Sequence, residues 1–386
     1  MDENNISVDE LMEELNALLK EEPEPTPQPM PEQAPAPSRL RTFGRGFAKV
    51  MITVLTTVML LVVTLYGVMY VLAKGPSPTA RDLFVRSVRE TSAVGFLANL
   101  YFSESEIVQI IQGNSEAEYI ETDTSLIQIP QPEQDTPQGP VADQWGLIDE
   151  DGDGIIVEDV KGQGYSGKMM VVLDPSRVIM GSVPSAYGSH GYTVEQMVKH
   201  FDAVAGINAG GFEDLNGSGN GSIPNTMVVC DGNIYFAEKG VSMGFVGFDE
   251  NHIMHVGKPS VKDVAEKNIR YGVCFGPVLV SNGQLHNPES LVSGVNPRTA
   301  IGQRSDGAVL LLVIDGRQVS SLGATYMDLA EIFLSYGAIN ACNLDGGSSS
   351  LMWFGGDYVN NCASVIGIRP VPTTFLVLKE GVEADE

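Results

Sequence analysis

An α+β fold is what the sequence predicts: mixed, largely antiparallel sheets with a few packed helices, preceded by a single transmembrane helix. Three observations carry this. Residues 50–73 form an uncharged apolar run, long enough to cross a hydrocarbon core of about 30 Å as a helix. Beyond it, strand-like apolar runs outnumber helix-like ones. Many of those runs are joined by short turns such as Asp231-Gly232 and Ser305-Asp306-Gly307, which favour antiparallel or mixed pairing.

Near the start, Val8, Leu11, Met12, Leu15, Leu18 and Leu19 recur at helical spacing after Ser7 as an N-cap. An isolated helix this short is marginal, so a partly ordered tail is expected; the alternative is a docking helix for a cytoplasmic partner. Seven prolines between Pro23 and Pro37 predict an extended linker. Arg39, Arg41, Arg45 and Lys49 flank the apolar run on one side and Lys74 alone on the other, which keeps the N-terminus in the cytoplasm. The run is too long, and too far from residue 1, for a cleaved signal peptide. The expected organisation is a cytoplasmic helix and linker (1–49), a membrane helix (50–73), an extracytoplasmic stalk and linker (74–145) and a globular domain (146–386). That makes a single-pass cell membrane protein with its C-terminal domain outside the cytoplasm.

Helical periodicity from 81 to 109, through Leu83, Phe84, Val88, Phe96, Leu97, Leu100 and Ile107, predicts a stalk helix on the membrane or on the domain. Residues 114–144 are polar and carry Pro130, Pro132, Pro137 and Pro140, a linker composition. Asp149, Asp151, Asp153 and Gly154 fit positions 1, 3, 5 and 6 of a calcium loop, but position 12 is Val160 instead of a bidentate Glu. A tight acidic turn before a strand at 154–160 is the expectation. Strands are then expected at 168–173, 178–180, 203–208, 226–229, 233–236, 244–248, 271–275, 278–280, 298–303, 308–314, 339–344, 351–354 and 373–378. Helices are expected at 193–201, at 261–267 after the cap Ser260, and at 326–336 after Thr325.

The balance of 49 acidic against 23 basic residues argues against nucleic acid, whose phosphates are held by Lys and Arg clusters. Cys230, Cys274, Cys342 and Cys362 show no CxxC spacing, so zinc is not indicated; outside the cytoplasm disulfides are permitted. The histidines at 190, 200, 252, 255 and 286 form no cluster or triad; His252 and His255, three apart in a strand-like run, are not expected to share a face.

The chemistry concentrates at strand ends beside glycine. Asp315 and Asp345 each end an apolar run and precede Gly. Two carboxylates at one pocket rim can divide acid, base or nucleophile roles, and Arg298 and Arg317 can grip a phosphate through their forked donors. Each also has a structural reading: Arg298 with Asp315 as an ion pair, Asn208 as a turn holder, Asp345-Gly346-Gly347-Ser348 as a hairpin turn.

Taken together, Asn208-Ala209-Gly210-Gly211-Phe212, Phe275-Gly276-Pro277-Val278-Leu279, Pro297-Arg298-Thr299-Ala300-Ile301-Gly302, Val313-Ile314-Asp315-Gly316-Arg317-Gln318 and Asn343-Leu344-Asp345-Gly346-Gly347-Ser348-Ser349 resemble the phosphodiester glycosidase family. The resemblance covers roughly residues 154–378, and departs from the family pattern at Ala209 and at a third serine, Ser350. It implies cleavage of a sugar–phosphate glycosidic bond. It implies Asp345 and Asp315 as catalytic residues. Arg298, Arg317, Asn208, Thr299, Gly346, Gly347, Ser348 and Ser349 would then bind substrate. No cofactor is called for, a carboxylate-held divalent cation stays open, and no metal ligands are assigned. The expected substrate is a sugar-phosphate linkage in envelope glycopolymer or exopolysaccharide. A non-catalytic carbohydrate- or phosphate-binding protein of exopolysaccharide export is the alternative, and attack at phosphorus is a third reading.

Overall fold

The computed structural model describes residues 8–18, 39–89, 95–112, 121–130, 142–213, 220–235, 244–364 and 367–381. The chain divides into two units, Met1–Gly67 and Val68–Glu386. In the first, α1 (Val8–Leu18) leaves Val8, Leu11, Met12 and Leu15 exposed. Its expected cap Ser7 and the proline-rich stretch 23–37 lie outside the described residues. α2 (Arg39–Lys74) is longer than the apolar run, because no proline interrupts the basic flank and the helix continues back through it. Its segment Phe47–Lys74 is long and apolar enough to cross a membrane.

The single stalk helix expected over 81–109 is three: α3 (Pro78–Arg89), α4 (Phe96–Asn99) and α5 (Glu104–Gln112). Ser103 starts the last one. Its backbone N–H donates to Glu106 at 2.7 Å, and its hydroxyl accepts from the Glu106 N–H at 3.3 Å, a reciprocal cap that ends the previous turn. Of the residues that gave the periodicity, Phe84 and Ile107 enter a small core with Val85, Ala98 and Phe102, whereas Leu83, Phe96 and Leu100 stay exposed.

The expected linker also departs from its composition. Residues 113–120 and 131–141 lie outside the described residues, but 121–130 is strapped to the globule. Thr122 exchanges hydrogen bonds with the backbone of Val256, and the Gln128 N–H donates to the Ser305 carbonyl at 2.7 Å. The acidic segment behind it is a tight turn. Asp149 accepts from the amides of Gly152 and Gly154, and Asp153 from that of Ile155. The carboxylates of Asp149, Asp151 and Asp153 come within 4.8 Å of one another. Burial, with its acidic neighbours, pushes the Asp153 carboxyl above the usual range.

The globule then builds β1 (Ile155–Gly162), β2 (Tyr165–Val172), β3 (Val178–Ser182), α6 (Val194–His200), β4 (Ala203–Asn208), β5 (Val228–Cys230), β6 (Asn233–Tyr235) and β7 (Gly244–Asp249). It continues with β8 (Met254–Gly257), α7 (Val261–Glu266), β9 (Ile269–Phe275), β10 (Val278–Ser281), β11 (Gln284–Leu285), β12 (Arg298–Arg304) and β13 (Val309–Ile314). α8 (Tyr326–Ser335), β14 (Ala338–Asn343), β15 (Met352–Phe354), β16 (Asp357–Tyr358) and β17 (Thr373–Leu378) complete it. The three globular helices each begin in a reciprocal cap, Thr193 with Gln196, Ser260 with Asp263 and Thr325 with Asp328. β11 and β16 were not anticipated, and β8 only as a strand-like run around His252 and His255; all three are short and take their pairing from neighbours.

All pairings within the three sheets are antiparallel, which makes this an α+β architecture. The first sheet runs β1-β2-β13-β12-β14-β10-β11, the second β16-β15-β4-β17-β3 and the third β6-β5-β9-β7-β8. The first sheet is buried on both faces, so its strands alternate between two cores. Met170, Val172, Ile301, Leu311, Val313 and Cys342 face the other sheets, whereas Met169, Val171, Leu310, Leu312 and Ala341 pack against Leu329 and Phe333 of α8. Gly302 makes room for that helix: a Cβ there would stand 2.7 Å from the Phe333 ring. Removing this fully buried ring in Phe333→Ala should cost about 3–5 kcal/mol, read as a shift in the urea midpoint at unchanged slope.

The four cysteines are free thiols. Burial pushes the Cys274 thiol up to about 12 and that of fully buried Cys342 higher still, so neither is a thiolate nucleophile at neutral pH. His255 lies in β8 and pairs with Asp249 at 2.9 Å, while His252 sits in the preceding turn with positive φ, so the two histidines point apart.

Candidate active site

Strand ends from two sheets meet at one end of the globule. β12 begins at Arg298, and its antiparallel neighbours β13 and β14 end beside it, so antiparallel register places Asp315 and Asp345 at the same sheet edge. β4, from the second sheet, ends there at Asn208. The Asp345 N–H donates to the Ala209 carbonyl at 2.8 Å, and Asn208 Nδ2 donates to the Asp345 carbonyl at 2.6 Å. The β9–β10 turn closes the group. Gly276 donates its N–H to the Asn343 carbonyl at 3.0 Å, and Asn343 Nδ2 returns a bond to the Gly276 carbonyl at 2.8 Å.

Asn208 is the clamp of this junction. Besides holding Asp345, its Oδ1 accepts from Thr299 Oγ1 at 2.8 Å and from the Leu351 N–H at 3.1 Å. Asn208 and Thr299 are both completely buried. Both were expected to contact substrate; their polar atoms bond each other and the backbone inside the protein, beside the Asp345 loop.

That loop is the accessible part. Asp345, Gly346, Gly347 and Ser348 are half-buried, whereas Ser349 and Ser350 turn inward. The amides of Gly347 and Ser349 donate to the carbonyls of Pro297 and Gly346. Gly346 is required by close approach, since a Cβ there would come within 2.8 Å of the Pro297 carbonyl; Gly347 is required by a φ of +63°.

Asp315, expected as the second pocket carboxylate, has another occupation. One oxygen accepts from Asn360 Nδ2 at 3.1 Å and from the Asn361 N–H at 2.9 Å; the other accepts from Asn361 Nδ2 at 2.8 Å. With 7% of its surface exposed, it anchors the Asn360–Asn361 loop against the site. Asn360 in turn donates to the Ser350 carbonyl and accepts from the Met352 N–H, so Asp315 acts on the Asp345 loop from behind.

The arginines differ from one another. Arg298 is buried beneath the loop, its Nε donating to the Ala324 carbonyl and Nη2 to the Gly294 carbonyl, with the guanidinium 4.1 Å from the Tyr326 ring centroid. The structural alternative for Arg298, an ion pair with Asp315, is not what these contacts describe. Arg317 is exposed and lies beside Gly347, its Nη2 3.3 Å from where a Cβ would stand. Partial desolvation, then the charge of Arg298, lowers its pKa from the ordinary arginine value, though it remains a cation. Its φ of +57° is unusual: among the described residues, every other non-glycine with positive φ is Asp, Asn or His. Such a conformation costs on the order of 1 kcal/mol or more and is held here by the turn bonds from Arg317 to Leu322 and between Gln318 and Ser321.

Sequence reasoning passed over Arg369. Its Nη1 donates to Ser348 Oγ at 3.3 Å, and its guanidinium lies 5.0 Å from the Phe212 ring centroid. The available signal was an arginine placed directly before Pro370 in an otherwise apolar approach to the last strand. Arg317 and Arg369 thus bring two guanidiniums to the Gly347–Ser348 part of the loop, next to one half-exposed carboxylate residue.

Residues 201–378 match the sequence model of the phosphodiester glycosidase family. Among curated proteins, the chain is 33% identical over 193 residues to the SPbeta prophage-derived uncharacterized protein YomE of Bacillus subtilis, covering 47% of this chain and 29% of that protein. It is 26% identical over 216 residues to the N-acetylglucosamine-1-phosphodiester alpha-N-acetylglucosaminidase of Mus musculus, covering 50% of this chain and 41% of that one. The chain thus spans less than half the length of either relative. Among solved structures, the zebrafish N-acetylglucosamine-1-phosphodiester alpha-N-acetylglucosaminidase catalytic domain, auto-inhibited by its pro-peptide, shares the fold. Its TM-score is 0.50 at 20% identity, over 58% of this chain and 82% of that one.

Proposed function

We propose that the globule is a phosphodiester glycosidase, a hydrolase that splits a glycosyl-1-phosphodiester into free sugar and a phosphomonoester. The family match over residues 201–378 supports the reaction class, and one feature of the site carries the reading: a half-buried Asp345 on a clamped loop, flanked by the guanidiniums of Arg317 and Arg369. Carboxylate and cations suit the two halves of a sugar–phosphate bond. In this reading the anomeric C–O bond breaks, its electron pair leaving with the phosphate oxygen, and water supplies the new oxygen at carbon. A phosphomonoester leaves readily, so strong general-acid help is unnecessary; the work lies in stabilising an oxocarbenium-like sugar. Asp345 acts at the anomeric carbon as nucleophile or base. Arg317, with Arg369, holds the phosphate, and buried Arg298 adds positive potential beneath it. Gly346, Gly347 and Ser348 form the floor on which substrate lies. Asp315 and Asn208 position that floor.

The physiological linkage proposed is a sugar phosphate of an envelope glycopolymer or exopolysaccharide. The apolar helix Phe47–Lys74 supports membrane anchoring, and the basic flank Arg39–Lys49 supports a cytoplasmic N-terminus with the globule outside. The test is hydrolysis of a panel of hexose and N-acetylhexosamine 1-phosphodiesters by the full chain in water enriched in heavy oxygen. Label in the released sugar is expected. Label in the phosphate would move the attack to phosphorus, with the arginines as the main catalytic groups. No turnover by folded protein across the panel and an envelope glycopolymer would leave a binding module.

A further inference from the structure

We propose that α3–α5 form a collar lying in the membrane interface, and that this collar holds the candidate site at the lipid surface, so that the diester served there is membrane-borne. The second half rests on the glycosidase reading; the first does not.

The collar is built onto the last turns of the apolar helix. Ala73 is buried in the core formed by α3–α5, Met69 packs against that core, and Lys74 Nζ stands 4.1 Å from the Phe102 ring centroid. This is where a membrane helix leaves hydrocarbon, and an ammonium at that position marks the boundary. The collar exposes large apolar side chains: Leu83 is 41% exposed, Phe96 61% and Leu100 54%. A bundle this small has little apolar surface to spare, and a lipid surface continuous with the helix end is the partner that covers it. Charge supplies little of the attraction. Arg81 pairs with Asp82, Arg89 with Glu104, and Arg86 donates to the Ile110 carbonyl.

The collar touches the loop beside the site at Ser87. Ser87 of α3 packs directly on Gly294, so closely that a Cβ at Gly294 would overlap it. The carbonyl of Gly294 is the acceptor that holds Arg298 Nη2 at 2.8 Å. The same loop exposes Val292 and Val295. A segment that touches the collar, supports an arginine of the site and presents aliphatic side chains suits a substrate whose far side is a lipid.

Two measurements on the full chain in phosphatidylcholine–phosphatidylglycerol vesicles test this. In Phe96→Trp, the added emission, measured against the Trp145 and Trp353 background of the parent protein, is expected to be lost when the acyl chains are brominated; unquenched emission overturns the collar. Then Leu83→Glu/Phe96→Glu/Leu100→Glu is compared with the parent on a long-chain alkyl glycosyl phosphodiester in vesicles and on its short-chain soluble analogue. Loss of turnover on the vesicle-borne diester, with the soluble one unchanged, is expected. Equal turnover of both by both proteins overturns the membrane-borne substrate. If the parent turns over neither diester, the glycosidase reading fails and the substrate half falls with it, while the quenching still decides the collar.

Discussion

Asp345→Asn is expected to lower kcat on a glycosyl-1-phosphodiester by about 10²–10⁴-fold, the range for removing a positioned acid–base group, with little change in KM or stability. The structural contacts of Asp345 described above are made by its backbone, to Ala209 and Asn208, and the amide side chain of the variant leaves them in place. The substitution removes the charge and basicity and leaves these two backbone bonds in place. Sugar release and a thermal unfolding curve, measured on the same preparation, check both halves of the expectation. Full turnover in the variant would transfer the chemistry from this carboxylate to another group.

Asn208→Ala should act on both stability and rate. It strands the Asp345 carbonyl, the Thr299 hydroxyl and the Leu351 N–H in the interior. A buried polar group left unpaired costs about 1–3 kcal/mol, and the three share one relaxing loop, so a combined loss of about 2–4 kcal/mol is expected. Because the clamp sets the position of Asp345, turnover by the folded fraction should also fall, about 10²-fold for a displacement near 1 Å. Denaturant titration gives the first quantity and kcat the second. Lost stability with an unchanged kcat would make Asn208 a fold residue alone.

Much of the fold was legible because its signals are local. The short apolar runs of β2 and β13 and the capping pairs at Thr193, Ser260 and Thr325 are written within a few residues. The departures arise where distant partners decide. The stalk periodicity was read from spacing, but Ser103 and Glu106 restart the chain, and Phe84 and Ile107 meet in one small core while Leu83, Phe96 and Leu100 stay exposed. Residues 121–130 have a linker's composition, yet Thr122 and Gln128 find backbone partners in β8 and in the β12–β13 turn. At the site, the motifs give the loops but not the direction of each side chain. Asn208 and Asp345 are equally polar in sequence; only the meeting of β4 with β14 sends one inward and leaves the other half-exposed. Asp315 looked equivalent to Asp345 until Asn360 and Asn361 supplied three donors to it. Arg369 belongs to no glycine-rich motif, and its neighbourhood is created by the approach of β17.

The place of β17 has a consequence for biogenesis. β3 and β4 follow one another in the chain but do not pair; the last strand lies between them, and Thr373 at its start also receives the N–H groups of Ala209 and Gly210. Every earlier strand can be synthesised while β4 and β3 still lack the strand that lies between them. A chain that stops short of residue 373 leaves β3 and β4 without their common neighbour and the Asn208 turn unsupported. Zippering of this sheet is therefore a late, non-local event, of the kind that slows folding and leaves unpaired edges open to proteases until it is complete. Chains truncated before residue 373 should be cleared as unfolded polypeptide.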